Sequence, residues 1–360
     1  MLDEIYQQPL AVLATARDAK VRQTLTQLRP ELAGRRRIVM AGTGTSRHVA
    51  IAGKYMLEHL ARVPVEVEHS SEVQHGTSIP TEDTLFVALS QSGETADTIA
   101  AQRVARLGGA CTLAIANAPA ATLMTEASAR IHVKAGPELA VPSTKAFSAQ
   151  LTAMYLLALS AAQARERISP PAAEGLMAEL LHIPTKIEQV LSCERQCATL
   201  ADGHARFARF LFAGRGIHTA VALDAALKVK ETSYLAAEGM PAGEIWHGPL
   251  ATIDEDMAVV LIVTRHEGDP ESMARYEKTL ANARALRGRA GSVIAVASHG
   301  DRYIAEAADH IIFVPSASEL LLPLIEIVPL QLFAYYLATA LGRDVDHPRN
   351  LSKSVLVERF

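Results

Sequence analysis

Arg37-Ile38-Val39-Met40-Ala41-Gly42-Thr43-Gly44-Thr45-Ser46 is an apolar run of strand length that stops at a glycine turn and leads into a helical pattern from His48 onward. The same phrase returns at Arg209-Phe210-Leu211-Phe212-Ala213-Gly214. Apolar runs alternate with longer helical patterns along the whole chain, the mark of α/β layering around a parallel sheet. The expected strands are Arg37 to Ala41, Pro64 to Glu68, Thr84 to Ser90, Cys111 to Ala116 and Arg130 to Val133, then Arg209 to Ala213, Ala258 to Thr264, Ser292 to Ala297 and His310 to Val314. Gly42 and Gly214, His75-Gly76 and His247-Gly248, and Gly109 and Gly291 recur at offsets of roughly 172 to 182 residues. One doubly wound domain is therefore written twice, with ligands expected beyond the carboxyl ends of its strands.

Length agrees, since 360 residues exceed what one core usually organises. The expected division is 1–168 for a helical lead-in and first domain, 169–204 for a helical connector opened by Ser169-Pro170-Pro171, 205–345 for the second domain and 346–360 for a tail. Hydrophobic residues at 49% and charged residues at 21% exclude a disordered chain. A formal charge of −4 supplies no positive field for nucleic acid or an anionic membrane, so an anionic ligand must be held locally. Cys111, Cys193 and Cys197 make no disulfide framework, and the i,i+4 pair Cys193/Cys197 has no His at zinc-finger distance. No export signal is visible at the N-terminus, and the longest apolar stretch, around Met154 to Ala164, is too short to span a bilayer. A reduced, cytoplasmic protein with no membrane, nucleic-acid, metal or cofactor partner is the expectation.

Three loops are placed to hold an anion. Gly42 to Ser46 offers backbone N–H groups and hydroxyls at a helix start. Ser90-Gln91-Ser92-Gly93-Glu94-Thr95 gathers hydroxyl and amide side chains at another strand-to-helix junction, where an N-capping turn is the plainer reading. Val141-Pro142-Ser143-Thr144-Lys145 precedes a long apolar helix. A Walker A sequence and the six-residue Rossmann glycine pattern are both missing, which argues against a nucleoside triphosphate or a dinucleotide.

Phe86 to Thr98, Pro142 to Phe147, Leu227 to Tyr234, Gly243 to Leu250 and Pro348 to Val355 closely resemble, in order, the isomerase half of glucosamine-6-phosphate synthase. This is the sugar isomerase (SIS) domain family. The resemblance implies two tandem flavodoxin-like SIS domains, each a doubly wound parallel sheet flanked by helices, and a site for a hexose 6-phosphate or aminohexose 6-phosphate. By position it implies that Ser46, Ser90, Gln91, Ser92 and Thr95 hold the phosphate and that Ser143 contacts the sugar. Glu231 resembles the base that moves a proton between C1 and C2, with Lys228 one helical turn before it. His247 resembles the group that opens the sugar ring from the neighbouring subunit of a homodimer, and Lys353 the lysine that meets the ketose carbonyl.

Each role has a plain competitor: a surface ion pair for Glu231 and Lys228, a turn histidine, a solvated tail lysine. Their joint occurrence at family positions favours the chemistry, which needs a base over adjacent carbons, an acid/base for ring opening and stabilisation of an enediol-like intermediate. The synthases carry a glutaminase cysteine directly after the initiator Met, whereas position 2 here is Leu2, so no glutamine hydrolysis is expected within this chain. Pro142 and Gly239-Met240-Pro241 depart from the family in substrate-facing loops and leave the sugar open. The leading expectation is an isomerising deaminase, glucosamine 6-phosphate and water giving fructose 6-phosphate and ammonia. An ammonia-dependent synthase, a fructosamine-6-phosphate deglycase and a plain phosphosugar isomerase are its variants. A sugar-phosphate-binding regulator would need the phosphate loops but not Glu231, His247 and Lys353.

Overall fold

The computed structural model describes residues 1–76 and 80–353. The chain divides into two units, a C-terminal one built on Thr185–Leu351 with Met1–Tyr6 and Ala140–Pro142, and an N-terminal one built on Gln7–Leu139 and Ser143–Pro184, to which Ser352 and Lys353 also belong. Residues 354–360 of the expected tail, with Ser354 and Val355 of the last motif, lie outside the described residues.

The N-terminal unit holds β1 (Arg37–Gly42), β2 (Val65–His69), β3 (Thr84–Ser90), β4 (Cys111–Ala116) and β5 (Ala129–His132), in the order β2-β1-β3-β4-β5 and all parallel. Every residue of the central strand β3 is buried, whereas the edge strands β2 and β5 are buried at one position each and otherwise partly or fully exposed. Val39 and Ala41, Phe86 and Ala88, and Ala114 and Ala116 share one core with Ile99, Ala101 and Ala105 of the helix Ala96–Leu107. The intervening residues Ile38, Met40, Val87 and Leu89 point the other way and are equally buried. Helices Gly44–Ala61 and Lys145–Ala164, packed on each other, cover that side, and the second is buried from Lys145 to Ala162.

The C-terminal unit repeats the plan with β6 (Arg209–Gly214), β7 (Ala236–Pro241), β8 (Met257–Val263), β9 (Ser292–Ser298) and β10 (His310–Val314), parallel in the order β10-β9-β8-β6-β7. Renumbered from its own first strand, this is the order of the first sheet. Leu211, Val259, Leu261 and Val293 pack with Tyr276, Leu280 and Leu286 of the helix Pro270–Leu286. Gly42 and Gly214 close their first strands for one steric reason: a Cβ would come within 2.9 Å of the Arg47 nitrogen at the first and 2.5 Å of the His218 carbonyl oxygen at the second. In both units the helix starts against the α-carbon of that glycine.

The strand β7 is absent from the expected set. Ala236-Ala237-Glu238-Gly239-Met240-Pro241 has no β-branched residue and ends in proline, so propensity hides it. Its pairing with β6, from Arg209 opposite Ala236 to Gly214 opposite Pro241, makes it an edge strand held by its neighbour's backbone. The apolar stretch around Met154 is also exceeded. A segment within Glu319–Ala340 is long and apolar enough to cross a membrane, but it is mostly buried in this unit and carries Glu326, Pro329 and Gln331.

Glu326 belongs to a buried ion cluster. His218, wholly buried at the start of the helix His218–Ser233, meets Glu326 through Nδ1 and Glu319 through Nε2, each at 2.8 Å. Arg275 donates to both oxygens of Glu319, at 2.5 and 3.1 Å, and through Nη2 to the Thr264 carbonyl at 2.7 Å. Burial alone would lower the His218 pKa, but the Glu326 and Glu319 carboxylates outweigh it and hold it above the ordinary 6.5. Burial would raise Glu319; His218 and Arg275 instead hold it below the ordinary 4.5. The His218 contribution is complete below its unfolded value and is lost as pH rises through the folded one, whereas that of Glu319 is lost as pH falls through its folded value. The thermal-stability advantage of the parent chain over His218→Asn should therefore peak between about pH 4.5 and 6.5 and shrink on both sides. A flat difference in Tm across roughly pH 4 to 9 would show that the cluster carries no charge stabilisation.

Candidate active site

Strands β1 and β3 are neighbours from which the chain departs in opposite directions, so the loops at their carboxyl ends border the crevice where such sheets bind ligands. Helices Gly44–Ala61 and Ala96–Leu107 begin there, and at neither start does the capping residue's side chain bond the first-turn N–H groups. Thr95 stands at the cap position of the second helix but spends its hydroxyl on Ser90, Oγ to Oγ1 at 3.1 Å. The cap residues thus leave the first-turn donors of both helices to other acceptors, and the dipoles favour negative charge.

The Ser90–Thr95 loop orients its own hydroxyls. The Gly93 N–H donates to Ser90 Oγ at 3.0 Å, and the Glu94 N–H donates to Ser92 Oγ at 3.2 Å. Gly93 has φ of +69°, and a Cβ there would stand 2.5 Å from that of Ala121, so the turn admits only glycine. Glu94 would repel an anion, but its carboxylate is turned to the Thr122 N–H at 2.8 Å. Gln91 accepts from the Asn117 N–H through its carbonyl. Ser46 is buried in the first turn of its helix and donates to Gln150 Oε1 at 3.2 Å.

Ser143 and Lys353 are brought together by a residue that the sequence reading passes over. Glu138, with a fully buried side chain, accepts from Ser143 Oγ at 3.0 Å and from Lys353 Nζ at 2.8 Å on Oε2, and from the Thr144 and Ala146 N–H groups at 2.9 and 3.1 Å on Oε1. The carboxylate thereby caps the helix Lys145–Ala164. Lys145, also buried, donates to the Pro137 carbonyl at 2.5 Å and to Gln7 Oε1 at 2.6 Å, holding the loop that presents Glu138. A Glu seven residues before a Lys that opens a long apolar helix was the available signal.

In the C-terminal unit, Lys228 and Glu231 form an ion pair of 2.6 Å on the helix His218–Ser233, with Lys228 wholly buried and Glu231 one-fifth exposed. The spacing of three residues places both on one face. The helix ends at Tyr234, with φ of +65°. Arg349 stacks its guanidinium 4.4 Å from the Tyr234 ring centre and donates its backbone N–H to the Tyr234 hydroxyl at 2.9 Å. His247 is exposed on a separate element, the short 3₁₀ turn Glu244–His247. Asn282 secures that turn from inside, donating to the Ala242 carbonyl at 2.6 Å and accepting from Trp246 Nε1 at 3.0 Å.

The SIS domain family matches residues 31–160 and 205–341, one match over each sheet. The chain belongs to the SIS domain family. The glutamine–fructose-6-phosphate aminotransferase (isomerizing) of Thermus thermophilus is 42% identical over 362 residues, covering 99% of this chain and 59% of that protein. The chain therefore spans about three fifths of the length of such curated relatives. Among solved structures, the C-terminal domain of glucosamine-fructose-6-phosphate aminotransferase from Francisella tularensis superposes with a TM-score of 0.88 at 31% identity, covering 97% of each chain. Glucosamine-6-phosphate deaminase from Thermotoga maritima shares the fold, with a TM-score of 0.70 at 20% identity over 97% of this chain and 99% of that one. This SIS protein is an enzyme.

Glu138→Ala should lower the unfolding free energy by about 3 kcal/mol, because it orphans two buried N–H groups and a charged partner. Lys353→Ala should have a much smaller effect, since that side chain is one-quarter exposed. Urea denaturation measures both, and equal losses would mean that Glu138 does not organise the loop.

Proposed function

We propose that this SIS enzyme is an isomerising aminohexose-6-phosphate deaminase acting on glucosamine 6-phosphate. The observation that carries the reading is the engagement of Lys353 and Ser143 by one buried carboxylate in the unit that bears the hydroxyl loops. A phosphate receptor has no use for a lysine held in that way, whereas a carbonyl reaction does. The relatives that bear on the reading are the isomerizing glutamine–fructose-6-phosphate aminotransferase and the C-terminal domain of glucosamine-fructose-6-phosphate aminotransferase named above.

In this reading Ser46, Ser90, Gln91, Ser92 and Thr95 take the 6-phosphate and Ser143 a sugar hydroxyl. His247, supplied by the second copy of a homodimer, moves the proton that opens the ring. The Glu231 carboxylate, held by Lys228, removes the C2 proton of the open aldehyde, and the electrons pass toward the C1 oxygen to give an enolamine. Return of a proton to C1 leaves a ketimine at C2. Water adds to that carbon, the C–N bond breaks, and ammonia and fructose 6-phosphate leave. Lys353 faces the C2 carbon through this last stage. Water is the solvent and ammonia is scarce, so release is the favoured direction, although one base serves both directions.

Purified protein is expected to release ammonia from glucosamine 6-phosphate faster than from galactosamine 6-phosphate or fructosamine 6-phosphate. Ser90→Ala with Ser92→Ala should raise KM at least about tenfold and leave the fold intact, since each hydrogen bond to a charged group contributes about 1.5 to 3 kcal/mol. Aldose and ketose phosphate interconversion without any ammonia release would replace the deaminase with a plain isomerase. Each of Glu231→Gln and His247→Ala should be inactive alone, while a refolded mixture should regain part of the activity in hybrid dimers. A fully active monomer would refute the shared site.

A further inference from the structure

Cys193 and Cys197 lie in the C-terminal unit, on residues that the proposed reaction does not use. Cys193 occupies the cap position of the helix Glu194–His204 and is partly exposed, whereas Cys197, one turn on, is fully buried. The Cys197 N–H donates to the Cys193 carbonyl at 2.9 Å, so the backbone fixes the pair as one closed turn. Their sulfur atoms are 3.5 Å apart. Cys197 Sγ also stands 3.5 Å from the Pro329 carbonyl oxygen.

That spacing discriminates between two kinds of thiol chemistry. A disulfide needs sulfurs about 2.05 Å apart and Cβ atoms about 3.5 to 4.5 Å apart, which successive turns of a helix do not offer without unwinding. Two sulfurs bound to one tetrahedral ion at about 2.3 Å each lie about 3.8 Å apart, a small opening from the observed pair. We propose that Cys193 and Cys197 form a bidentate site for one soft divalent cation of the zinc and cadmium class. On binding, each thiol gives up its proton to solvent and each sulfur forms one bond to the metal. Cys193 lies at a helix N-terminus, where a thiolate is stabilised. The hydrogen bond from Cys197 holds the Cys193 thiol below its ordinary value, whereas that bond and burial hold the Cys197 thiol above its own, so the Cys197 proton leaves only as the sulfur–metal bond forms. The adjacent Glu194 carboxylate, fixed by the hydroxyls of Tyr6 and Tyr336, adds negative charge that attracts a cation, although it opposes loss of the thiol protons. Among the described residues no group of three His, Cys, Asp or Glu is placed to hold a metal, so water or a small thiol would complete the coordination.

Titration of the reduced full-length chain with Cd²⁺ tests this. The expected result is a single tight equivalent with a sulfur-to-cadmium charge-transfer band and release of protons to the buffer. Both signals should be lost in Cys193→Ser and in Cys197→Ser and kept in Cys111→Ser. Bound Cd²⁺ should also slow alkylation of Cys193 by iodoacetamide in the parent chain, a readout that needs no variant to fold. A tight equivalent that survives in the double Cys193/Cys197 variant, a missing charge-transfer band, or alkylation indifferent to Cd²⁺ would each overturn the proposal.

Discussion

All eight strand pairings among the described residues are parallel, and that constraint orders everything else in the molecule. A parallel neighbour can be reached only by a crossover that returns over a face of the sheet, so both faces become buried and the central strands lose their polar side. Thr84–Ser90, Met257–Val263 and Ser292–Ser298 are buried at every position as a result. The helix after each strand begins at the carboxyl edge, which collects first-turn N–H groups along that one edge. The strand order then opens that edge between β1 and β3 in one sheet and between β6 and β8 in the other.

The two edges share a backbone plan and carry different chemistry. At the first, short hydroxyls are oriented by loop N–H groups and no cap side chain closes the helix starts. Neutral donors of this kind suit a phosphate dianion, because they are fixed before it arrives and need no counterion stripped away. At the second, the helix that follows β6 begins with His218, and Glu319, Glu326 and Arg275 close around it. These charges satisfy one another. A duplicated fold thus carries loop-oriented hydroxyls at one edge and, at the other, an internal ion cluster that holds its unit together.

The sheets were legible in the sequence because buried parallel strands read as apolar runs, and their ends fell within about one residue of the observed ones. The strand β7 was illegible by propensity, yet it lies where the offset between Gly42 and Gly214 would place the counterpart of Val65–His69. Periodicity across the repeat held information that the local residues did not. The loop motifs pointed to Ser90, Ser92, Ser143, Glu231 and Lys353. They could not disclose Glu138, since an isolated Glu in a loop reads as a solvated charge. Asn282 was hidden for a similar reason: its two hydrogen bonds join residues far apart in the chain.

Glu138 poses a physical difficulty, because a buried carboxylate beside a site proposed for an anionic substrate should be repulsive. Its bonding partners resolve the conflict. The Thr144 and Ala146 N–H groups and the Ser143 hydroxyl engage it without any help from Lys353. Bonds from such donors are strong enough to keep a carboxylate in place. Lys353 adds the fourth bond from a side chain one-quarter exposed, and supplies the compensating charge. If the lysine turns toward a substrate carbonyl, the carboxylate it leaves is still hydrogen-bonded on both oxygens and does not have to move. Of the two partners the carboxylate is therefore the one fixed by the loop, and in the proposed reaction the amine is the one that would move, which is the division of labour that a carbonyl-handling lysine requires.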